Sequence, residues 1–308
     1  MPRQLARVRV TPLDATGPED VVVHDGVVIT GVVDGRILRV DPDSGRTETL
    51  ADTGGRPLGI ELYADGRLLV CDAHRGLLVC DRKSGRIETL VAEYGGRPLR
   101  FCNNAAVAAD GTVYFSDSSA HFGVDNWRGE LIARSGTGRL LRRTTAGEVD
   151  VLADGLQFAN GVALAADESY VVVAQTGDYR LDRIWLTGDR AGHREVLVEL
   201  PGFPDNLSTG SDGLIWVAVP NPRDPVFDVI VKTPPAVRRR LAGLPVWLQP
   251  RAKRYWRTMA VDGSGTVVHD LTGPGERFHM VTSVRQHDGQ LWFGSLTEAG
   301  IAVADMPS

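Results

Sequence analysis

A short phrase recurs six times along this 308-residue chain, and that recurrence limits the fold more than any other feature. Each copy is an apolar strand, a turn and a second apolar strand. The copies read GPEDVVVHDGVVITG, PLGIELYADGRLLVCD, CNNAAVAADGTVYFSD, FANGVALAADESYVVVAQTG, GFPDNLSTGSDGLIWVAV and VTSVRQHDGQLWFGSL. Their turn residues Gly26, Gly66, Gly111, Glu168, Gly213 and Gly289 are 40, 45, 57, 45 and 76 positions apart. The runs are β-branched or aromatic and bounded by DG, SG, GG and DE turn signals, which is strand rather than helix periodicity. A second hairpin follows the phrase, as in DGRILRVDPDSGRTETL and HRGLLVCDRKSGRIETL. Four strands per repeat of this length make a propeller blade. The chain is therefore expected to be all-β, a six-bladed β-propeller with four-stranded blades, forming a single domain over residues 1–308. The last unit ends at GIAVADM, one strand short, and the N-terminal ARVRV run is expected to supply that strand and close the ring.

The long spacings place insertions in the third and fifth units. Residues 120–137, HFGVDNWRGELIARSGTG and its flanks, read as a long loop because they are too polar for a core element. In residues 221–255, Pro235 opens a short helix with Val237, Leu241 and Leu244 on one face and Arg238, Arg239 and Arg240 on the other. This insertion is either a helix packed on the rim or a lid over one mouth of the central tunnel.

The formal net charge of −5 argues against nucleic acid or an acidic membrane as an obligate partner. The N-terminus lacks the apolar core of a signal peptide, and no apolar run approaches the ~18 residues of a membrane helix. Three cysteines, Cys71, Cys80 and Cys102, fit free thiols in a reducing cytoplasm, although Cys71 and Cys80 flank an expected hairpin and would be the pair to join in an exported protein. A cytoplasmic location and a small-molecule substrate are the expectation, with no nucleic acid or membrane partner; oligomeric state is not readable.

The innermost strands of all blades begin at the same end of the tunnel, so equivalent positions converge on the axis. Counting back from each turn, that address holds Glu19, Leu58, Asn103, Asn160, Asp205 and Thr282. Four of these carry a carboxylate or a carboxamide. Asn and Asp also cap turns without further purpose, but four oxygen donors in register form a ring of two carboxylates and two amide carbonyls. That set suits a hard cation, calcium first among the divalent ions. No His or Cys occupies the address, which disfavours zinc.

The phrases GPEDVVVHDGVVITGVVDGRILRV, FCNNAAVAADGTVYFSDSS, FANGVALAADESYVVVAQTG and GFPDNLSTGSDGLIWVAV resemble the strictosidine synthase-like branch of six-bladed propellers, a branch related to the senescence-marker-protein/gluconolactonase group and the paraoxonases. The resemblance runs over residues 17–305. It implies a catalytic ion held by Glu19, Asn103, Asn160 and Asp205, with Asn206 as a further ligand, and hydrolysis of lactones, aryl esters or phosphotriesters. Two departures stand out. Thr282 stands where the condensing enzyme would carry its catalytic glutamate, and the paraoxonase histidine pair is not reproduced. His74 reads as a surface or packing histidine, and His121 and His279 as loop residues near the tunnel mouth.

The expected activity is therefore that of a calcium-dependent lactonase or esterase in which Asp205 acts as general base or as nucleophile. Two alternatives are a metal-independent condensing or other biosynthetic enzyme, and a non-catalytic binding propeller.

Overall fold

The computed structural model describes residues 2–63, 65–249 and 252–307. Ala64, in the second repeat, and Pro250 and Arg251, in the second insertion, lie outside them. Six sheets built on four antiparallel strands follow one another along the chain, five of them with four strands and one with a fifth strand added. Their innermost strands are Val21–His24, Pro57–Leu62, Cys102–Val107, Ala159–Leu164, Leu207–Thr209 and Val281–His287. This is the six-bladed propeller that the repeat predicts.

The six turn residues all have left-handed backbone, with φ of 75° at Gly26, 80° at Gly66, 91° at Gly111, 56° at Glu168, 77° at Gly213 and 73° at Gly289. Five are glycine because that region disfavours a Cβ. Glu168 tolerates it while its carboxylate accepts the backbone N–H of Ala109, in the neighbouring blade, at 2.7 Å.

The second strands, such as Leu68–Asp72 and Ile215–Val219, are buried along their whole length because a neighbouring blade covers each face. Apolar side chains meet between blades rather than within one central core. Val172 and Leu181 of the fourth blade pack with Val217 and Val261 of the fifth. Equivalent clusters fill the other interfaces, including the seam, where Val28, Leu38 and Val40 of the first blade meet Trp292, Ile301 and Val303 of the last. Each such side chain contributes about 1.5–3 kcal/mol by leaving water.

The seam closes as expected, with a shift in position. Arg9–Pro12 pairs antiparallel with Gly300–Asp305 as the outer strand of the sixth blade. The strand thus begins inside the ARVRV run and extends beyond it. The residues before it, Arg3–Gln4, add a parallel fifth strand to the fifth blade through Leu271 and Thr272.

Both insertions differ from their expected form. Residues 120–137 contain a helix, α1 (Trp127–Ala133), whose Gly129, Glu130, Leu131, Ile132 and Ala133 are buried. Glu130 is satisfied there by Ser119 at 2.6 Å and Ser135 at 2.8 Å. The second insertion holds α2 (Pro225–Ile230), α3 (Pro235–Ala242) and a 3-10 turn, Val246–Leu248. Pro235 opens α3 as expected. Its faces are partly exchanged, however: Val237 and Leu244 are exposed. Arg238 turns inward, donating to the carbonyls of Ala133, Val231 and Thr233.

Candidate metal and active site

One cavity sits at the end of the tunnel where the innermost strands begin. All six predicted addresses, Glu19, Leu58, Asn103, Asn160, Asp205 and Thr282, line it. Local irregularity turns several of them inward. The pairing of innermost and second strands slips between Pro57 and Ile60, Cys102 and Ala105, Ala159 and Val162, and Val281 and Ser283. Each slip brackets one lining residue. A bulge re-aims a side chain in this way, and its recurrence in four blades makes it part of the repeat.

Asn103 and Asn160, the two asparagines of the ring, are held by the same device. Asn103 Nδ2 donates to Ser118 Oγ at 2.9 Å, and Ser118 Oγ donates to the Ala159 carbonyl of the next blade at 2.7 Å. Asn160 Nδ2 donates to Thr176 Oγ1 at 3.1 Å, and Thr176 Oγ1 donates to the Pro204 carbonyl of the next blade at 2.7 Å. A hydroxyl has one proton. Since each hydroxyl gives its proton to a carbonyl, it can only accept from the asparagine, so the NH2 must face it. The carboxamide oxygens are thereby turned the other way, and both Asn103 Oδ1 and Asn160 Oδ1 are buried without a partner. Orphaned buried acceptors are costly. Two of them on one cavity, beside two carboxylates, are a donor set that could hold a cation.

Asn206, which the resemblance implies as a further ligand, stands beside the ring, and its Oδ1 is also buried without a partner. It is not among the cavity-lining residues; its Nδ2 donates to both oxygens of Glu19 at 3.0 Å. It holds the Glu19 carboxylate in place. Sequence spacing does not reveal this, although the Asp205-Asn206 adjacency does put the amide beside the ring.

The carboxylates are electrostatically unsatisfied. Burial pushes Glu19 well above the usual range, and Asp205 and Asp20 push it the same way, against Arg56 and the Asn206 hydrogen bond. Asp205 is raised to about 7, chiefly by burial, with Asn160 and the Asn206 N–H opposing. It keeps partial exposure to the cavity. Among the described residues no three His, Cys, Asp or Glu side chains cluster as a metal site. The donor set is instead half amide and half carboxylate, all oxygen, which fits calcium and not zinc.

Beneath the ring, a polar layer joins the blades. Asp20 accepts the N–H of Ile60 at 3.1 Å, Asn104 Oδ1 accepts that of Val162 at 2.8 Å, and Arg285 donates to Val21 O and Glu61. Burial raises Asp20 to about 6, with Arg285 opposing. None of these residues stands at the counted address, so the repeat alone does not expose them.

Most of the remaining wall is apolar, with Asp224 and Lys253 among its polar members. Phe101 and Phe158 pack at 5.4 Å, and Phe203 and Phe227 at 5.1 Å. Trp127 and Leu131 of α1 and Phe227 of α2 complete the roof. Arg128 also lines the cavity; its Nε is buried without a partner, and burial alone lowers its pKa. No histidine lines it among the described residues. His74 lies on the surface, 3.6 Å from Asp125, His121 is exposed, and His279 pairs with Glu298. The thiols of Cys71, Cys80 and Cys102 are free and buried, and strand register sets Cys80 opposite Leu68, away from Cys71.

Fold and site together define a six-bladed propeller with an oxygen-lined pocket at one end of its tunnel. The chain belongs to the SMP-30/gluconolactonase/LRE-like family, which matches residues 19–227. It is 33% identical to the adipocyte plasma membrane-associated protein of Rattus norvegicus, over 91% of this chain and 80% of that protein. It is 32% identical to the Arabidopsis thaliana protein strictosidine synthase-like 10, over 95% and 86%. Among solved structures, a gluconolactonase of Xanthomonas campestris superposes with a TM-score of 0.72 at 17% identity, covering 100% of this chain and 95% of that one. A calcium-binding regucalcin of Agrobacterium tumefaciens gives 0.68 at 15%, covering 99% and 95%. At these identities the structural likenesses establish the fold. No helix among the described residues is long and apolar enough to cross a membrane.

Proposed function

We propose that this chain is a calcium-dependent hydrolase of lactones or esters, with Glu19, Asn103, Asn160 and Asp205 holding the ion. The observation that carries the reading is the pair of buried carboxamide oxygens, fixed by hydroxyl clamps and left without partners on the cavity that two carboxylates share. A bound calcium supplies a Lewis acid for the substrate carbonyl oxygen. Family membership and the calcium-binding regucalcin likeness support the choice of ion and reaction class.

The chain's own residues do the rest. Asp205 is the less buried of the two ring carboxylates, and it serves as general base toward water or attacks the carbonyl directly. Glu19, fixed by Asn206, balances charge and stays in place. The phenylalanine walls bind an apolar acyl or aryl body and exclude water from it. Arg128, lacking a carboxylate partner, orients the carbonyl-rich end near the roof.

The purified protein is expected to carry one equivalent of calcium and to hydrolyse aryl esters or lactones. Asp205→Ala lowers kcat by roughly 10²–10⁴-fold. Full turnover in excess chelator sinks the metal reading. After a single turnover in isotope-labelled water, label in Asp205 marks direct attack and its absence marks the general-base route. The relatives named strictosidine synthase-like keep a second reading in view, a metal-independent condensing enzyme. Thr282, donating to the Glu19 carbonyl at 2.7 Å, stands where that reading needs an acid.

A further inference from the structure

The second insertion, whose Phe227 helps to roof the cavity, carries exposed cations together with large exposed apolar side chains. Residues 221–255 hold eight basic side chains against two acidic ones, in a chain whose formal net charge is −5. Both acids are engaged: Asp224 caps α2 by accepting the N–H groups of Val226 and Phe227, and Asp228 accepts from Tyr179. Arg238 is turned inward on backbone carbonyls. Lys232, Arg239 and Arg240 are exposed and make no ion pair among the described residues.

The same insertion also exposes apolar side chains. Val226 and Val229, one turn apart on α2, are 59% and 66% exposed, and Trp247 and Leu248 are 70% and 52% exposed. Val237 and Leu244 are exposed as well, whereas outside the insertion the large exposed hydrophobics of the described residues are all valines. On α2 the two roles are divided by face: Phe227 points into the cavity roof while Val226 and Val229 point outward.

We propose that this outer face of the lid docks on an anionic lipid bilayer, so that the cavity opens at the membrane surface. Short helices that expose Val, Leu and Trp next to Lys and Arg adsorb at the headgroup boundary, with the apolar side chains entering it and the cations meeting acidic headgroups. The acidic remainder of the chain is repelled by the same headgroups, so the lid sets the orientation. Overall net charge points away from an acidic membrane, but the charge that decides adsorption is local, within a Debye length of the surface.

The test uses the full chain and sedimentation with vesicles of phosphatidylcholine alone and of phosphatidylcholine with phosphatidylserine. Binding is expected to the phosphatidylserine vesicles and to weaken as salt rises. Each basic residue at such a surface is worth roughly fivefold, so Arg239→Gln with Arg240→Gln lowers partitioning by at least about tenfold. Trp247→Ser with Leu248→Ser should do the same, with thermal unfolding unchanged for both double variants. Failure to sediment with phosphatidylserine vesicles, or indifference to both double variants, overturns the proposal. So does a lipid-free dimer that the Trp247→Ser change dissociates, since the face would then belong to a second copy of the chain.

Discussion

At the scale of single residues, the hydroxyls of Ser118 and Thr176 decide what the two asparagines can bind. Ser118→Ala leaves Asn103 free to rotate its amide and lose the inward-facing oxygen. Outer-shell changes of this kind typically cost ~10–100-fold in metal affinity. A calorimetric calcium titration showing unchanged affinity would remove Ser118 from the site. A second expectation concerns pH. The pKa of Asp205 is raised to about 7, and that of Glu19 is also raised. Between about pH 4 and about pH 7 the chelated folded protein therefore holds more protons than the unfolded chain, and its stability falls as pH rises. Calcium binding needs the deprotonated carboxylates, so the stabilisation by added calcium grows over the same window. Thermal unfolding with chelator and with calcium, at about pH 5.5 and about pH 8, reads both slopes. Chelated protein that gains stability with pH, or an Asp205→Asn variant with an unchanged slope, contradicts this account. The ring itself was legible because the repeat counts every address from a turn residue with fixed backbone. Ser118, Thr176 and the hold of Asn206 on Glu19 were not, because they act across blade boundaries that a one-dimensional repeat does not contain.

At the scale of elements, the two insertions were located correctly by spacing but misjudged in character. The α1 segment looks too polar for burial because Glu130 sits among apolar residues, and only the structure shows Ser119 and Ser135 accommodating it. In α3 the arginine run reads as a solvated face, yet Arg238 is the side chain that ties the lid to α1. Long basic side chains can dock through their donors while their neighbours remain wet. Arg238→Ala removes charge-assisted bonds to three carbonyls, and a destabilisation of about 1.5–3 kcal/mol is the expectation. Because Ala133 belongs to α1 and Val231 to the second insertion, the loss loosens the roof as well as the fold. KM for an apolar ester should therefore rise more than kcat falls. An equal change in both parameters would point to a general loss of structure instead.

At the scale of the whole molecule, six apolar interfaces in a circle mean that no blade is terminal, and the strand Arg9–Pro12 makes this possible. Without it the sixth blade ends on Gly300–Asp305 with its outer hydrogen-bonding edge unpaired, an invitation to pair with another chain. The same N-terminal segment buries Leu5 against Trp256 and Leu271 and lays Arg3–Gln4 along the fifth blade. Deleting residues 1–12 therefore strikes two blades at once. Loss of the Leu5 contacts alone belongs to the class of changes that cost about 2–5 kcal/mol, and the missing ladder adds to it. The truncated chain should unfold at clearly lower temperature and form aggregates that grow with concentration, even when calcium is saturating, because every ligand in the ring lies beyond the deletion. A supplied peptide of residues 1–12 should restore part of the stability, since the edge it fills is intact. If the truncated protein unfolds at the same temperature as the full chain and stays monomeric, closure by this strand is dispensable, and the ring must be held by the interfaces between blades.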